Sequence, residues 1–202
     1  MIGIIDYKFG GNIHAFENVF RLLNVPYICA DRPELLEDCN KIILPGVGSF
    51  DGAIKSLRNS GFYDYLQSTF SISSEKKLLG VCVGLQVLCQ GSDEGRLEGL
   101  SIFDTFVHKF DASECDIIPH MGWNSVRVDN NDPIFNGINL EQGFYFLHSY
   151  RLDSSLKIGI AQTIYKSSFT CAARTSNCVG VQFHPEKSHS NGLRLIKNFL
   201  EE

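Results

Sequence analysis

Residues 78–84, Leu-Leu-Gly-Val-Cys-Val-Gly, constrain this chain more than any other stretch. An apolar run that reads as a strand enters a Gly-x-Cys-x-Gly pattern with no polar residue between. That junction matches a nucleophile elbow, a sharp strand-to-helix turn that exposes its central side chain. Glycines two residues to either side relieve crowding, so the backbone can hold a strained conformation at Cys82. A thiol at the start of the following helix also feels its positive end, which favours the thiolate. With seven cysteines and 18 glycines in the chain, the pattern alone arises readily by chance. It needs a base elsewhere before it means chemistry.

The first half of the chain places this elbow in an α/β context. Met1 to Asp6 is a β-branched run broken by Gly10 and Gly11, and Ile13, Phe16, Phe20 and Leu23 then recur at helical spacing. Pro26 to Ala30 and Lys41 to Leu44 read as further strands, the latter ending in Pro45-Gly46-Val47-Gly48. The βαβα order predicts an open, mostly parallel sheet flanked by helices. From about residue 100 to 183 the pattern changes. Asn124 to Val128, Phe144 to Tyr150, Lys157 to Ile164 and Phe169 to Ala173 read as short strands with only turns between them. They predict an antiparallel or mixed extension of the sheet. Leu193, Ile196 and Leu200 mark a closing helix. With no repeat, low-complexity tract or linker, the 202 residues are expected to form one domain.

Composition removes several classes of function. A net charge of −5 and the absence of a basic run argue against a nucleic-acid or membrane-surface partner. The N-terminus has no charged region followed by a long apolar stretch, and no apolar run approaches the roughly 18 residues of a membrane span. A soluble, cytoplasmic protein is expected. The cysteines at 29, 39, 82, 89, 115, 171 and 178 form no CxxC pair, so neither a disulfide framework nor a zinc site is indicated. Each is read as a reduced, small hydrophobe unless its surroundings say otherwise.

A cysteine nucleophile needs a base and a group to orient it. His14 lies in the first helix, His108 in a polar–apolar alternation and His189 at the start of the last helix, where structural roles suffice. His184 differs, because it ends the apolar run Cys178 to Phe183 and so sits where a strand stops. Glu186 follows two residues later, and in extended structure the two side chains share a face. Pro185 restricts the joint between them.

Five stretches in order, "PGVGSF", "GVCVGLQ", "PHMGWN", "FYFLHSY" and "QFHPEKS", resemble the class I glutamine amidotransferases across essentially the whole chain. The resemblance implies a flavodoxin-like, three-layer fold and hydrolysis of L-glutamine through a cysteine thioester, without a cofactor or metal. It implies Cys82 as nucleophile, His184 as base and acid, and Glu186 as orienter. Backbone amides at Gly46, Val47 and Gly48 and at Val83 would form the oxyanion hole. Gln86, His148, Ser149 and Tyr150 would line the glutamine pocket. The "PHMGWN" and "FYFLHSY" stretches point to glutaminase subunits that pass ammonia to a (β/α)8-barrel synthase subunit in histidine biosynthesis. The joint products there are imidazole glycerol phosphate and the aminoimidazole carboxamide ribonucleotide. Pro119, Met121, Gly122, Trp123 and Asn124 would then form a docking loop, with Lys187 beside it, in a heterodimer. Similar chains feed ammonia to an amidino-sugar synthesis in surface-polysaccharide pathways, so a second acceptor stays open.

Two stretches depart from the family pattern. Where the family opens with Asp-Tyr-Gly-x-Gly-Asn, this chain has Asp6-Tyr7-Lys8-Phe9-Gly10-Gly11-Asn12. Lys8 replaces a glycine, and one extra residue precedes Asn12. Ser101 to Thr105 lacks the expected glycine-rich turn. Val47 lies between two glycines, so a peptide flip there is sterically easy, and partner binding is expected to drive it.

Overall fold

Four consecutive buried residues, Ile-Gly-Ile-Ile, form β1 (Ile2–Ile5). The computed structural model describes residues 1–70, 74–111, 117–129 and 131–202. α1 (Ile13–Leu23) buries Phe16, Val19 and Phe20 and stops where Asn24 takes left-handed backbone at φ 53°, a common helix terminator. β2 (Tyr27–Ala30), β3 (Lys41–Leu44), α2 (Phe50–Asn59), α3 (Phe62–Phe70), β4 (Lys77–Val81) and α4 (Val83–Val87) complete the alternating half. Short strands follow: β5 (Gly91–Ser92), β6 (Phe106–Lys109), β7 (His120–Asn124), β8 (Arg127–Val128), β9 (Phe144–His148) and β10 (Tyr150–Arg151). The long hairpin β11 (Gly159–Tyr165) and β12 (Ser167–Arg174), then β13 (Cys178–Val181) and α5 (His189–Glu201), close the fold.

The main sheet has eight strands in the order β2-β1-β3-β4-β13-β12-β11-β8. β2, β1, β3, β4 and β13 are parallel, whereas β12, β11 and β8 extend the sheet antiparallel. α1 packs with α5, and α2 with α3 and α4, which is the open, mostly parallel, three-layer arrangement that the alternation predicts. β10-β6-β5 form a small second sheet and β7-β9 a two-stranded wing. Buried phenylalanines fill the space beneath the wing, with Phe144 and Phe183 stacked at 3.9 Å between ring centroids. Among the described residues, no helix is long and apolar enough to cross a membrane. Six cysteines are free thiols; Cys115 lies outside the described residues.

Some sequence expectations shift. The strand expected over 124–128 is two elements, because the period-2 alternation begins earlier. His120 is buried and Met121 and Trp123 are exposed, so β7 ends at Asn124 and β8 is only Arg127–Val128. The expected docking loop is therefore mostly this strand. The strand expected over 144–150 breaks at Ser149, where β9 and β10 part into different sheets. In α5 the buried stripe runs through Leu195, Ile196 and Phe199, while Leu193 and Leu200 are half-buried at its margin.

Candidate active site

β3, β4 and β13 lie side by side, and their carboxyl ends release the three segments that meet at the site, the usual place for chemistry in such sheets. Register pairs Leu44 with Gly80 and Val81 with Val181. Cys82 and Gln182 therefore leave the sheet at one level, and the Cys82 N–H donates to the Val181 carbonyl at 2.8 Å.

Cys82 sits at φ 54°, ψ −108°, a conformation costing a side-chain-bearing residue on the order of 1–3 kcal/mol. Close packing around the elbow imposes it. A Cβ on Gly84 would lie 2.0 Å from the Leu44 carbonyl oxygen, and one on Gly80 would lie 2.7 Å from that of Gly84. α4, at five residues, is too short for the helix field that the elbow pattern suggested. The surroundings of the thiol come instead from side chains.

The Nδ1 of His184 lies 2.8 Å from Glu186 Oε1, with the two side chains 2% and 1% exposed. Burial opposes a charged imidazole here. Hydrogen bonds to Cys82 and Glu186 outweigh it and hold His184 above its ordinary value. With Nδ1 engaged by Glu186, Nε2 is the nitrogen left for Cys82. The extended geometry expected for 184–186 is not what joins them. Pro185–Lys187 is a 3-10 turn with proline in its first position, a place for which its fixed φ suits it.

Gln182 went unnoticed in the sequence. It is buried, its Nε2 is 3.6 Å from Cys82 Sγ, and its Oε1 accepts from Gln86 Nε2 at 3.1 Å. Gln86 thus lines the site but is itself held by a protein partner. A polar residue inside the apolar run 178–183 was the available signal.

Cys82 and His184 border a cavity of about 270 Å³. From the segments expected to supply the oxyanion hole, Val47, Gly48 and Val83 reach it. From the expected glutamine pocket, Gln86, His148, Ser149 and Tyr150 do. Pro119 and Lys187 join them from the expected partner face. Glu94 and Leu147, neither singled out by the sequence, complete the wall. Gly46, Glu186, Met121, Gly122, Trp123 and Asn124 do not line it. Gly46 acts from behind, its carbonyl accepting the Val83 N–H at 3.3 Å, so one expected oxyanion donor is occupied. Among the described residues, no three His, Cys, Asp or Glu side chains converge to hold a metal ion.

The family described as glutamine amidotransferase class-I matches residues 13–202. The chain belongs to this family. Three curated relatives are named imidazole glycerol phosphate synthase subunit HisH or HisH 2. That of Leptospira borgpetersenii is 43% identical over 98% of both chains, and that of Bdellovibrio bacteriovorus 42% over 100% of both. That of Pseudomonas aeruginosa is 40% identical over 100% of this chain and 99% of the relative. A solved glutamine amidotransferase shares the fold with TM-score 0.74 at 18% identity, covering 99% of this chain and 97% of that one. The solved PurLQS of Thermotoga maritima does so with TM-score 0.67 at 15% identity, covering 99% and 97%.

The departures of this amidotransferase from the family pattern have a local physical account. Lys8, in place of a glycine, keeps a glycine-like φ of 60°. Asp6 supports it by accepting from the Lys8 amide at 3.2 Å and from its ammonium at 2.5 Å. Ser101 likewise takes φ 54°. The Phe9 ring lies over Gly48 and Gly52, where a Cβ on Gly52 would fall 2.0 Å from the ring. Tyr7 reaches the same segment, its hydroxyl donating to the Pro45 carbonyl at 3.0 Å.

Proposed function

We propose that this chain is the glutaminase subunit of an imidazole glycerol phosphate synthase in histidine biosynthesis, with residues 1–202 acting as one cytoplasmic amidotransferase unit. The observation that carries the reading is the hydrogen-bonded pair His184–Glu186 set against a strained Cys82 at the edge of a cavity. The full-length relatives carrying that subunit's name support the acceptor.

In this reading Cys82 is the nucleophile and His184 the acid and base, oriented by Glu186. The Cys82 thiolate attacks the side-chain carbonyl carbon of glutamine, and the carbonyl electron pair moves to oxygen. Backbone N–H groups of the 46–48 segment and of Val83 receive that oxyanion. Because the Val83 N–H now donates to Gly46, the 46–48 backbone must turn before the hole is complete. Collapse expels ammonia, which takes its proton from His184, and leaves the glutamyl thioester. Water activated by His184 then releases glutamate and restores the thiolate. Glu94, on the same wall, offers its negative charge to the α-ammonium of glutamine. His148, Ser149, Tyr150 and Gln86 shape the remaining wall.

The partner is a (β/α)8-barrel synthase subunit that accepts the ammonia. Met121 and Trp123 project 66% and 43% exposed from the wing, and large exposed side chains of this kind suit interface anchors. Pro119 and Lys187 at the cavity rim, with Gly122 between the anchors, complete the proposed docking face, whereas Asn124, expected there too, turns its side chain inward to the Ile164 carbonyl.

Glutaminase rates with and without the barrel subunit test the assignment. A glutamine-analogue electrophile should label Cys82, and the barrel should raise the rate. Equal rates sink the coupling, and labelling at Cys89 sinks the nucleophile. Rescue of a histidine auxotroph decides the acceptor. Failure to rescue with glutaminase intact moves it to the amidino-sugar route.

A further inference from the structure

β7 has two faces with different fates. Met121 and Trp123 point to solvent, while His120 and Asn124 face inward against β9 and β11. From Asn124 a line of hydrogen bonds runs under the wing to the cavity wall. Asn124 Nδ2 meets His120 Nε2 at 3.2 Å, and His120 Nδ1 meets His148 Nε2 at 2.9 Å. His148 Nδ1 meets the Tyr150 carbonyl oxygen at 2.7 Å.

Both ends of this line are fixed in direction. Asn124 Nδ2 also donates to the Ile164 carbonyl at 2.9 Å, so its nitrogen, not its oxygen, faces the ring. An amide nitrogen only donates and a carbonyl only accepts. His120 Nε2 therefore accepts, and its proton sits on Nδ1 and is given to His148 Nε2. His148 in turn carries its proton on Nδ1 and gives it to Tyr150. Reversing any one link sets two N–H groups or two lone pairs face to face. Protonating either ring does the same.

The surroundings agree with two neutral rings. His120 is sandwiched between Phe146 and Tyr165, with centroids at 4.7 and 4.2 Å. Phe110, Phe146 and Phe169 surround His148. Burial lowers His120 to about 4 and His148 to about 3. The Tyr150 carbonyl favours a cation on His148, but burial outweighs it, and the neighbouring His120 and His184 add to the lowering. The Tyr150 carbonyl that ends the line lies 3.5 Å from Gln86 Nε2, and Gln86 leads through Gln182 to Cys82.

We propose that Asn124 and His120 are positioning residues for the glutamine pocket, which act through His148 to hold the 148–150 wall in one arrangement. The resemblance placed Asn124 at the partner face and His148 against glutamine. Here both belong to one internal relay, which rests on the glutaminase reading only for its kinetic consequence.

Two measurements test it. Long-range proton–nitrogen spectra of the histidine-labelled full chain should show His120 and His148 as Nδ1–H tautomers. Neither should titrate between about pH 5.5 and 8. An Nε2–H tautomer in either ring, or a midpoint near about 6.5, overturns the relay. In the complex with the barrel subunit, His120→Phe keeps a ring in the stack but removes both nitrogens, and Asn124→Leu removes the donor. Each should raise the KM for glutamine about tenfold with kcat within about twofold. Asn124→Gln, which retains a donor, should recover part of the loss. An unchanged KM, or a loss confined to kcat, overturns the positioning role. Should His120→Phe fail to fold, the tautomers of the unmodified chain still decide. An inactive unmodified complex would refute the glutaminase reading, and the positioning role with it, while leaving the tautomer result to stand alone.

Discussion

The parallel half of the sheet and the β7–β9 wing hold their functional groups by different means. In the parallel half, backbone register does the placing. Val81 opposite Val181 brings Cys82 and Gln182 to one level, and His184 follows two residues on. In the wing, side chains bonded to side chains do it, along a line from Asn124 to the Tyr150 carbonyl. A backbone bond ties the two regions, the His184 N–H to the Tyr145 carbonyl at 2.8 Å. The lesson is a division of labour. The reacting groups sit just past the ends of paired strands, and the pocket wall depends on a proton arrangement that a single substitution can undo.

The contrast breaks most decisively at the reacting groups. Cys82→Ser should lower kcat/KM for glutamine at least ~10³-fold with little change in melting temperature, and Glu186→Gln about 10²-fold. A Cys82→Ser enzyme within tenfold of the parent would mean that register placed the wrong thiol. Cys89 is the control seven residues on. Burial alone pushes its thiol up, and Cys89→Ala should keep activity.

Glycine substitutions compare the two regions through stability. Gly84→Ala drives a methyl group into the Leu44 carbonyl and should cost about 2–3 kcal/mol. Gly122→Ala meets nothing within 4 Å but inherits φ +126°, a strain of about 1–2 kcal/mol. Urea midpoints measure both. A larger loss at Gly122 would reverse the view that the parallel half is the less forgiving.

In pH dependence the two regions carry opposite signs. His184 is held above its unfolded value. Its contribution to stability is complete below about pH 6.5 and is lost as pH rises through the raised folded value. His120 and His148 are lowered to about 4 and about 3. Theirs is complete above about pH 6.5 and is lost as pH falls toward those values. Each group contributes a slope of at most about 1.4 kcal/mol per pH unit. Urea titrations across pH should show Glu186→Gln flattening the alkaline limb and His120→Phe the acid limb. Identical curves would remove the distinction.

The placement of Cys82 and His184 was legible because local patterns encode it. An apolar run reaching Gly-x-Cys-x-Gly and another reaching His-Pro both announce strand ends. The sequence predicts an extended joint between His184 and Glu186, because Pro185 fits an extended strand and the first position of a 3-10 turn equally well. Gln182 and Glu94 escaped notice because a lone polar residue says nothing of what lies opposite it. The break at Ser149 was hidden because Phe144 to Tyr150 keeps a strand-like composition across two sheets. His120 lies inside the PHMGWN stretch that the resemblance assigns to docking. Its ring nitrogens acquire meaning only when a residue 28 positions away is brought against them.

The Phe9 ring over Gly48 and Gly52 also limits how this chain can drift. The Phe9 ring and the bare helix position at 52 depend on each other, since a side chain at 52 meets the ring. A Cβ at position 52 requires the tip of the Phe9 ring to swing aside. Comparing positions 9 and 52 across relatives should therefore reveal paired states, aromatic with glycine or small with free choice, rather than independent variation.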